Sequence, residues 1–107
     1  SEVCVGHNPG LLAPHPERPE RLLGLLDAMR GSWRTELGDQ LSVREPEVDV
    51  TNEQISRVHS NAHNALVSEA FSRARDSRLP VSLDADTVVT LGTEAAARRA
   101  AGLTVAA

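Results

Sequence analysis

The chain has 107 residues, a formal net charge of −4, and 40% hydrophobic against 24% charged positions, a balance that fits one soluble, globular domain at most. All eleven basic residues are arginine and they are scattered, which excludes the concentrated basic surface that phosphate backbones require, so nucleic acid is not an expected partner. No apolar run reaches the roughly 18 residues of a membrane span and no basic-then-apolar leader is present, so no membrane association is expected. Cys4 stands alone, which rules out an internal disulfide and fits a reducing cytoplasm. Trp33 and Phe71 are the only large aromatics, so the core must be built from Leu, Val and Ala, which is thin for a free-standing domain.

Taken in chain order, SEVCVG (1–6) has the compact β-branched character of a short strand ended by Gly6. HNPGLLAPHP (7–16) reads as a loop, with Asn8-Pro9-Gly10 as its turn. From Pro19 to Arg30, Leu22, Leu23, Leu25, Leu26 and Met29 recur at helical spacing. Pro19 suits the first helical turn, where its missing N–H costs nothing, and Gly31 stops the helix. LSVREPEV (41–48) alternates like a second short strand with Pro46 at its edge or end. Thr51 and Gln54 match a capping box, so a helix opens there. HSNAHNALVSEAFSRARDS (59–77) reads as a further helix, with Ala62, Leu66, Ala70 and Phe71 inward. The run Arg73, Arg75, Arg78 fits its solvated face. PVSLDADTVVT (80–90) looks like a buried strand leading into a loop, and Thr93 with Glu94 opens an alanine-rich helix. The order β, α, β, α, α, β, α predicts an α/β fold with a mainly parallel sheet. The final apolar helix has no cap, and Gly102 falls inside its pattern. Such a helix usually buries against something further on, so residues 1–107 are expected to form an incomplete N-terminal portion of a single larger domain.

Three places carry candidate chemistry. Cys4-x-x-His7 and His59-x-x-x-His63 supply four soft ligands in spacings that caricature a structural zinc site. Against that stands the lack of paired cysteines or of a glutamate after the first histidine. The competing reading makes His59 a partly buried helix-end histidine and His63 a surface one. Asp84 and Asp86 flank Ala85 at a strand end, where open α/β sheets place their binding crevices. They suit a metal, a substrate amide, or the capping of the next element. Third is PHPERPER (14–21), whose prolines hold His15, Glu17, Arg18 and Arg21 in a stiff arm, either as part of a site or as a structural elbow.

HPERPERL (15–22), VHS (58–60) and LDADT with AAARRAAG (83–87 and 95–102), in this order and spacing, resemble the N-terminal third of the histone deacetylase and acetylpolyamine amidohydrolase superfamily, especially its bacterial class II-like members. HPERPER is the most specific of these motifs. One departure is His63, where the family often has tyrosine. The resemblance implies a three-layer arginase/deacetylase-like fold and a zinc-dependent hydrolase that removes acetyl groups from lysine or polyamines. In it a metal polarises the carbonyl and activates water, with a histidine pair moving protons. It also implies that the zinc ligands lie beyond this sequence, so this chain alone is expected to hold no zinc and to catalyse nothing. Two residues match family positions. Asp86 corresponds to the rim aspartate that accepts backbone N–H groups of a bound acyl-lysine. Arg21 corresponds to the arginine of the internal acetate channel, pointing inward from the first helical turn. His15, Pro16 and Glu17 match the loop that walls the pocket.

The expected partners are therefore the remainder of the deacetylase domain and an acetylated lysine or polyamine. A stand-alone, non-catalytic interaction module is the main rival, and a small metal-binding domain through Cys4, His7, His59 and His63 is the third reading.

Overall fold

The computed structural model describes residues 1–11 and 14–107. Positions 12 and 13 of the expected 7–16 loop lie outside the described residues. Five α-helices, α1 (Pro19–Arg30), α2 (Ser32–Leu37), α3 (Asn52–Ser56), α4 (Asn61–Ser77) and α5 (Thr93–Ala106), are joined by short 3-10 turns and one hairpin, β1 (Val81–Ser82) with β2 (Val88–Val89).

This corrects the α/β expectation. The molecule is mostly helical and its one sheet, among the described residues, is two-stranded and antiparallel, so no three-layer fold with a parallel sheet is present. The reason is visible in each of the three β-rich stretches. A parallel ladder needs two strands set side by side by a crossover, and none of the three forms a backbone ladder with another among the described residues. The first winds into a 3-10 turn over Glu2–Gly6, where the Cys4 N–H donates to the Ser1 carbonyl (3.1 Å) and the His7 N–H to the Cys4 carbonyl (3.3 Å). The second runs extended over 41–51 with no ladder. Its Val50 N–H is instead taken by the Arg98 carbonyl of α5 at 3.0 Å. The third folds back on itself, with Val81 opposite Val89 and Ser82 opposite Val88.

The helices follow their local signals more closely. Pro19 occupies the first turn of α1, and the Gly31 N–H closes the helix on the Asp27 carbonyl at 2.8 Å. The capping box forms in full. The Gln54 N–H donates to Thr51 Oγ1 (3.2 Å), and the Thr51 N–H donates to Gln54 Oε1 (2.9 Å). Ser60 caps α4 by accepting the His63 N–H at 3.2 Å. The buried face of α4 differs from the expected one. Ala70 and Ala74 are buried and Phe71 half-buried, whereas Ala62 and Leu66 are exposed. Ala70, Ala74 and Val89 form the core cluster, with Phe71, Val81 and Leu83 packed against it. Small residues dominate because the body is flat, 46 × 34 × 21 Å, and has little depth in which to bury larger ones.

Helix α5 is fixed at both ends by close backbone approach. An ideal Cβ at Gly92 would stand 2.6 Å from the Gly6 carbonyl carbon, and one at Gly102 would stand 2.8 Å from Asp49 Cα. Gly102 therefore sits inside the helical pattern because the 48–49 backbone lies across it. Glycine within a helix ordinarily costs about 0.5–1 kcal/mol relative to alanine. At Gly102 the sign inverts, and Gly102→Ala is expected to lower stability by about 1–3 kcal/mol through overpacking. Gly24, in α1 with nothing within 4 Å of a Cβ, is the control. Gly24→Ala is expected to raise stability by about 0.5–1 kcal/mol. Urea denaturation of the two variants checks the pair, and shifts of the same sign would refute the close contact.

Candidate functional site

The proline-rich arm and the N-terminal turn border one open cavity of about 590 Å³, lined among others by Cys4, His7, Glu17, Arg18, Arg21 and Leu22. The elements that build it are short and stiff. Pro19 sets the start of α1, so Arg21 and Leu22 project from its first turns toward the segment carrying Cys4 and His7. Arg21 is exposed at the border of this cavity rather than directed into the interior. The Glu17 N–H donates to His15 Nδ1 at 3.1 Å, which ties the His15-Pro16-Glu17 corner to itself. His15 is half-buried, while Pro16 and Glu17 are exposed.

His7 is anchored from the other side. Its Nδ1 lies 2.8 Å from Thr93 Oγ1, which also receives the Thr90 N–H at 2.8 Å and lies 3.0 Å from Thr90 Oγ1. The Thr90 N–H donates to the Thr93 oxygen, and the Thr93 hydroxyl is shared between His7 Nδ1 and Thr90 Oγ1, so the three groups form one connected polar cluster. Cys4 Sγ lies 3.6 Å from the Ala96 carbonyl. The first turn of α5 therefore holds both His7 and Cys4 against this cavity.

The two aspartates of the hairpin take different roles. Asp84 Oδ1 accepts the N–H groups of Asp86 (2.9 Å) and Thr87 (2.7 Å), and the Leu83 N–H closes the hairpin on the Thr87 carbonyl at 2.9 Å. Asp84 thus closes its own loop, in the Asx manner that makes aspartate a turn residue. Asp86 is exposed on the same loop and lies outside the cavity that Arg21 borders. Sequence alone left capping and function as competitors for this pair, and the structure gives the local capping to Asp84.

The four soft ligands do not converge. Cys4 and His7 border the cavity by α1. His59 and His63 lie elsewhere, both exposed, with their rings stacked at 4.7 Å between centroids and 29° between planes. They border a second cavity, of about 540 Å³, between α3, α4 and α5. Among the described residues no three His, Cys, Asp or Glu side chains gather as a metal site would require. In the Arg73, Arg75, Arg78 run, Arg75 pairs with Glu94 of α5 at 2.8 Å, so one of the three cations serves helix packing rather than a solvated face. Among the described residues no helix is long and apolar enough to cross a membrane. Sequence reasoning missed the second cavity altogether. Its only trace was the apolar series Ile55, Val67 and Phe71, divided between two helices.

Hydrogen bonds from Asp86, first, and from Thr87 hold the Asp84 carboxyl below the usual aspartate value of 3.8. A depressed folded-state pKa contributes stability that is present above the unfolded value of about 3.9 and is lost as pH falls through the lower, folded one. Carboxyl-carbon NMR titration is therefore expected to show Asp84 titrating below 3.8. The Asp86 and Thr87 amide signals should move at the same inflection as the loop loosens. An Asp84 inflection at or above the ordinary value would refute the loop closure.

No protein-family model, curated protein sequence or solved structure matches this chain.

Proposed function

We propose that this chain supplies the substrate rim and channel wall of a zinc-dependent deacetylase, an amide hydrolase acting on acetyl-lysine or acetylated amines, with the zinc ligands contributed by other sequence. The observation that supports the reading best is the division between the two hairpin aspartates. Asp84 spends one oxygen on its own loop, and this leaves Asp86 exposed on a braced turn. A carboxylate held this way accepts backbone N–H groups from a peptide, and bonds to an ionised acceptor are roughly twice as strong as neutral ones. The other support is the motif order HPERPERL, VHS, LDADT, together with the placing of Glu17 and Arg21 on one cavity.

The residues present do not fit a zinc ion, since Cys4 and His7 border one cavity and His59 and His63 another. What the chain's own residues do in this reading is positional. Asp86 orients the substrate backbone, the His15-Pro16-Glu17 corner forms a wall, and the Arg21 guanidinium attracts the acetate that hydrolysis releases. A single unpaired thiol, Cys4, suits the reducing cytoplasm in which such an enzyme would work. In the enzyme assembled with its zinc-bearing segment, Asp86→Ala is expected to lower kcat/KM by about tenfold to a hundredfold, the worth of charge-assisted bonds. Bound zinc, measured by elemental analysis, should be unchanged. Turnover equal to that of the unaltered enzyme would overturn the assignment.

A non-catalytic interaction module is the second reading, and one observation favours it. Large apolar side chains stay open to solvent on separate helices, among them Leu25 at 50%, Leu66 at 54% and Val105 at 61% exposure. Scattered single exposures are ordinary, but this many on so small a body call for a cover. Under this reading, size-exclusion chromatography with light scattering shows a well-folded species of defined mass with a cooperative melt. A chain that aggregates, or that folds only with further sequence, would exclude it.

A further inference from the structure

The second cavity has a composition that the rest of the chain does not share. Fifteen of the 107 residues are acidic and the net charge is −4, yet no carboxylate is among the residues bordering the groove between α3, α4 and α5. Its ionisable groups are His59, His63 and Arg98. Its less exposed lining is mostly apolar, with Val50 buried and Ile55, Val67 and Phe71 half-buried beside Asn64 and Arg98, while Ala97 and Ala101 of α5 keep the opposite wall low. At about 540 Å³ it falls within the roughly 300–1,000 Å³ of small-molecule sites, which are mostly apolar with a few placed polar groups.

The cation in this groove is fixed and only partly neutralised. Arg98 Nε lies 3.3 Å from Glu94 and its Nη1 donates to Asn52 Oδ1 at 3.0 Å, so Nη2 is the nitrogen used in neither contact. Glu94 is shared, because its other oxygen takes Arg75 at 2.8 Å. One carboxylate against two guanidiniums leaves this end of the groove positive. The stacked imidazoles add an N–H donor each whatever their protonation state. We propose that the groove between α3, α4 and α5 is a binding site for a small monocarboxylate with an apolar body. The apolar body covers Ile55, Val67 and Phe71, and the carboxylate accepts from Arg98 and the histidines. A cationic ligand finds no carboxylate on the groove lining, and a neutral one forgoes the charge-assisted bond to Arg98. The inference does not rest on the deacetylase reading.

The test uses the 107-residue chain, labelled with ¹⁵N and titrated with 1-naphthoate, and in parallel with 1-naphthylmethylammonium, which has a similar shape and the opposite charge. Saturable naphthoate binding is expected, with amide shifts gathered at Val67, Phe71, Ala97 and Ala101, and with the ammonium compound much weaker. Arg98→Gln should weaken naphthoate binding by about tenfold. Because that change also removes the Glu94 contact, a second variant, His59→Gln with His63→Gln, alters only exposed side chains and is expected to weaken binding severalfold while circular dichroism stays unchanged. The proposal fails if binding does not saturate, if the two charge types bind equally, or if the shifts gather around Leu25 and Trp33 instead. It fails also if both variants bind as the unaltered chain does.

Discussion

The fold depends on how closely other backbone can approach α5. At its start Gly92 allows the N-terminal turn to lie against it through Gly6, and near its end Gly102 admits the 48–49 segment. Between these points the contacts are polar and directional. The Arg98 carbonyl takes the Val50 N–H, Arg99 Nε donates to Asp49 Oδ1 at 2.6 Å, and Thr93 holds His7. Glu94 reaches across to Arg75 of α4. A chain that leaves so many of its large apolar side chains at the surface does not hold its elements apart around a deep core. It holds them together instead by bringing small residues and bare backbone into contact, where dispersion and hydrogen bonding act at short range. Both cavities border this helix or are anchored from it.

That constraint explains why helix signals were legible and strand signals were not. A capping box, a first-turn proline and a stop glycine act within a few residues, and at Thr51, Pro19 and Gly31 each does what its local chemistry dictates. A strand is defined by a partner, and nothing inside SEVCVG or LSVREPEV names one. With the N-terminal turn drawn onto Gly92 and the 48–50 segment onto α5, neither stretch is free to pair with the other. The face of α4 failed for a different reason. Ala62, Leu66, Ala70 and Val67, Ala70, Phe71, Ala74 both fit helical spacing, and which of them is buried is decided by where the hairpin packs.

The candidate site was legible in part. The types and order of its residues could be read directly, but the sharing of roles between Asp84 and Asp86 could not. It turns on which carboxylate lies within reach of the backbone N–H groups of a three-residue loop. The groove beyond α3 was not legible, because it is lined from positions 50–71 and 97–101. Its distinguishing property, the lack of a carboxylate, exists only once those two stretches are side by side.

Arginine borders both cavities, Arg98 in one and Arg21 beside Arg18 and Glu17 in the other, and Arg98 and Arg21 differ in how much order they already possess. Arg98 is held by Glu94 and Asn52 and is only 31% exposed, so little rotamer freedom remains to be lost when an anion arrives. Arg21 is exposed and in no ion pair among the described residues. Immobilising a long side chain costs about 0.5–1.5 kcal/mol, a cost that the Arg98 groove has largely met within this chain and that Arg21 has not. The groove is thus a site built from its own polypeptide. Arg21 has no such partners among the described residues, and a further surface against it would be needed before that guanidinium could hold a ligand in one place.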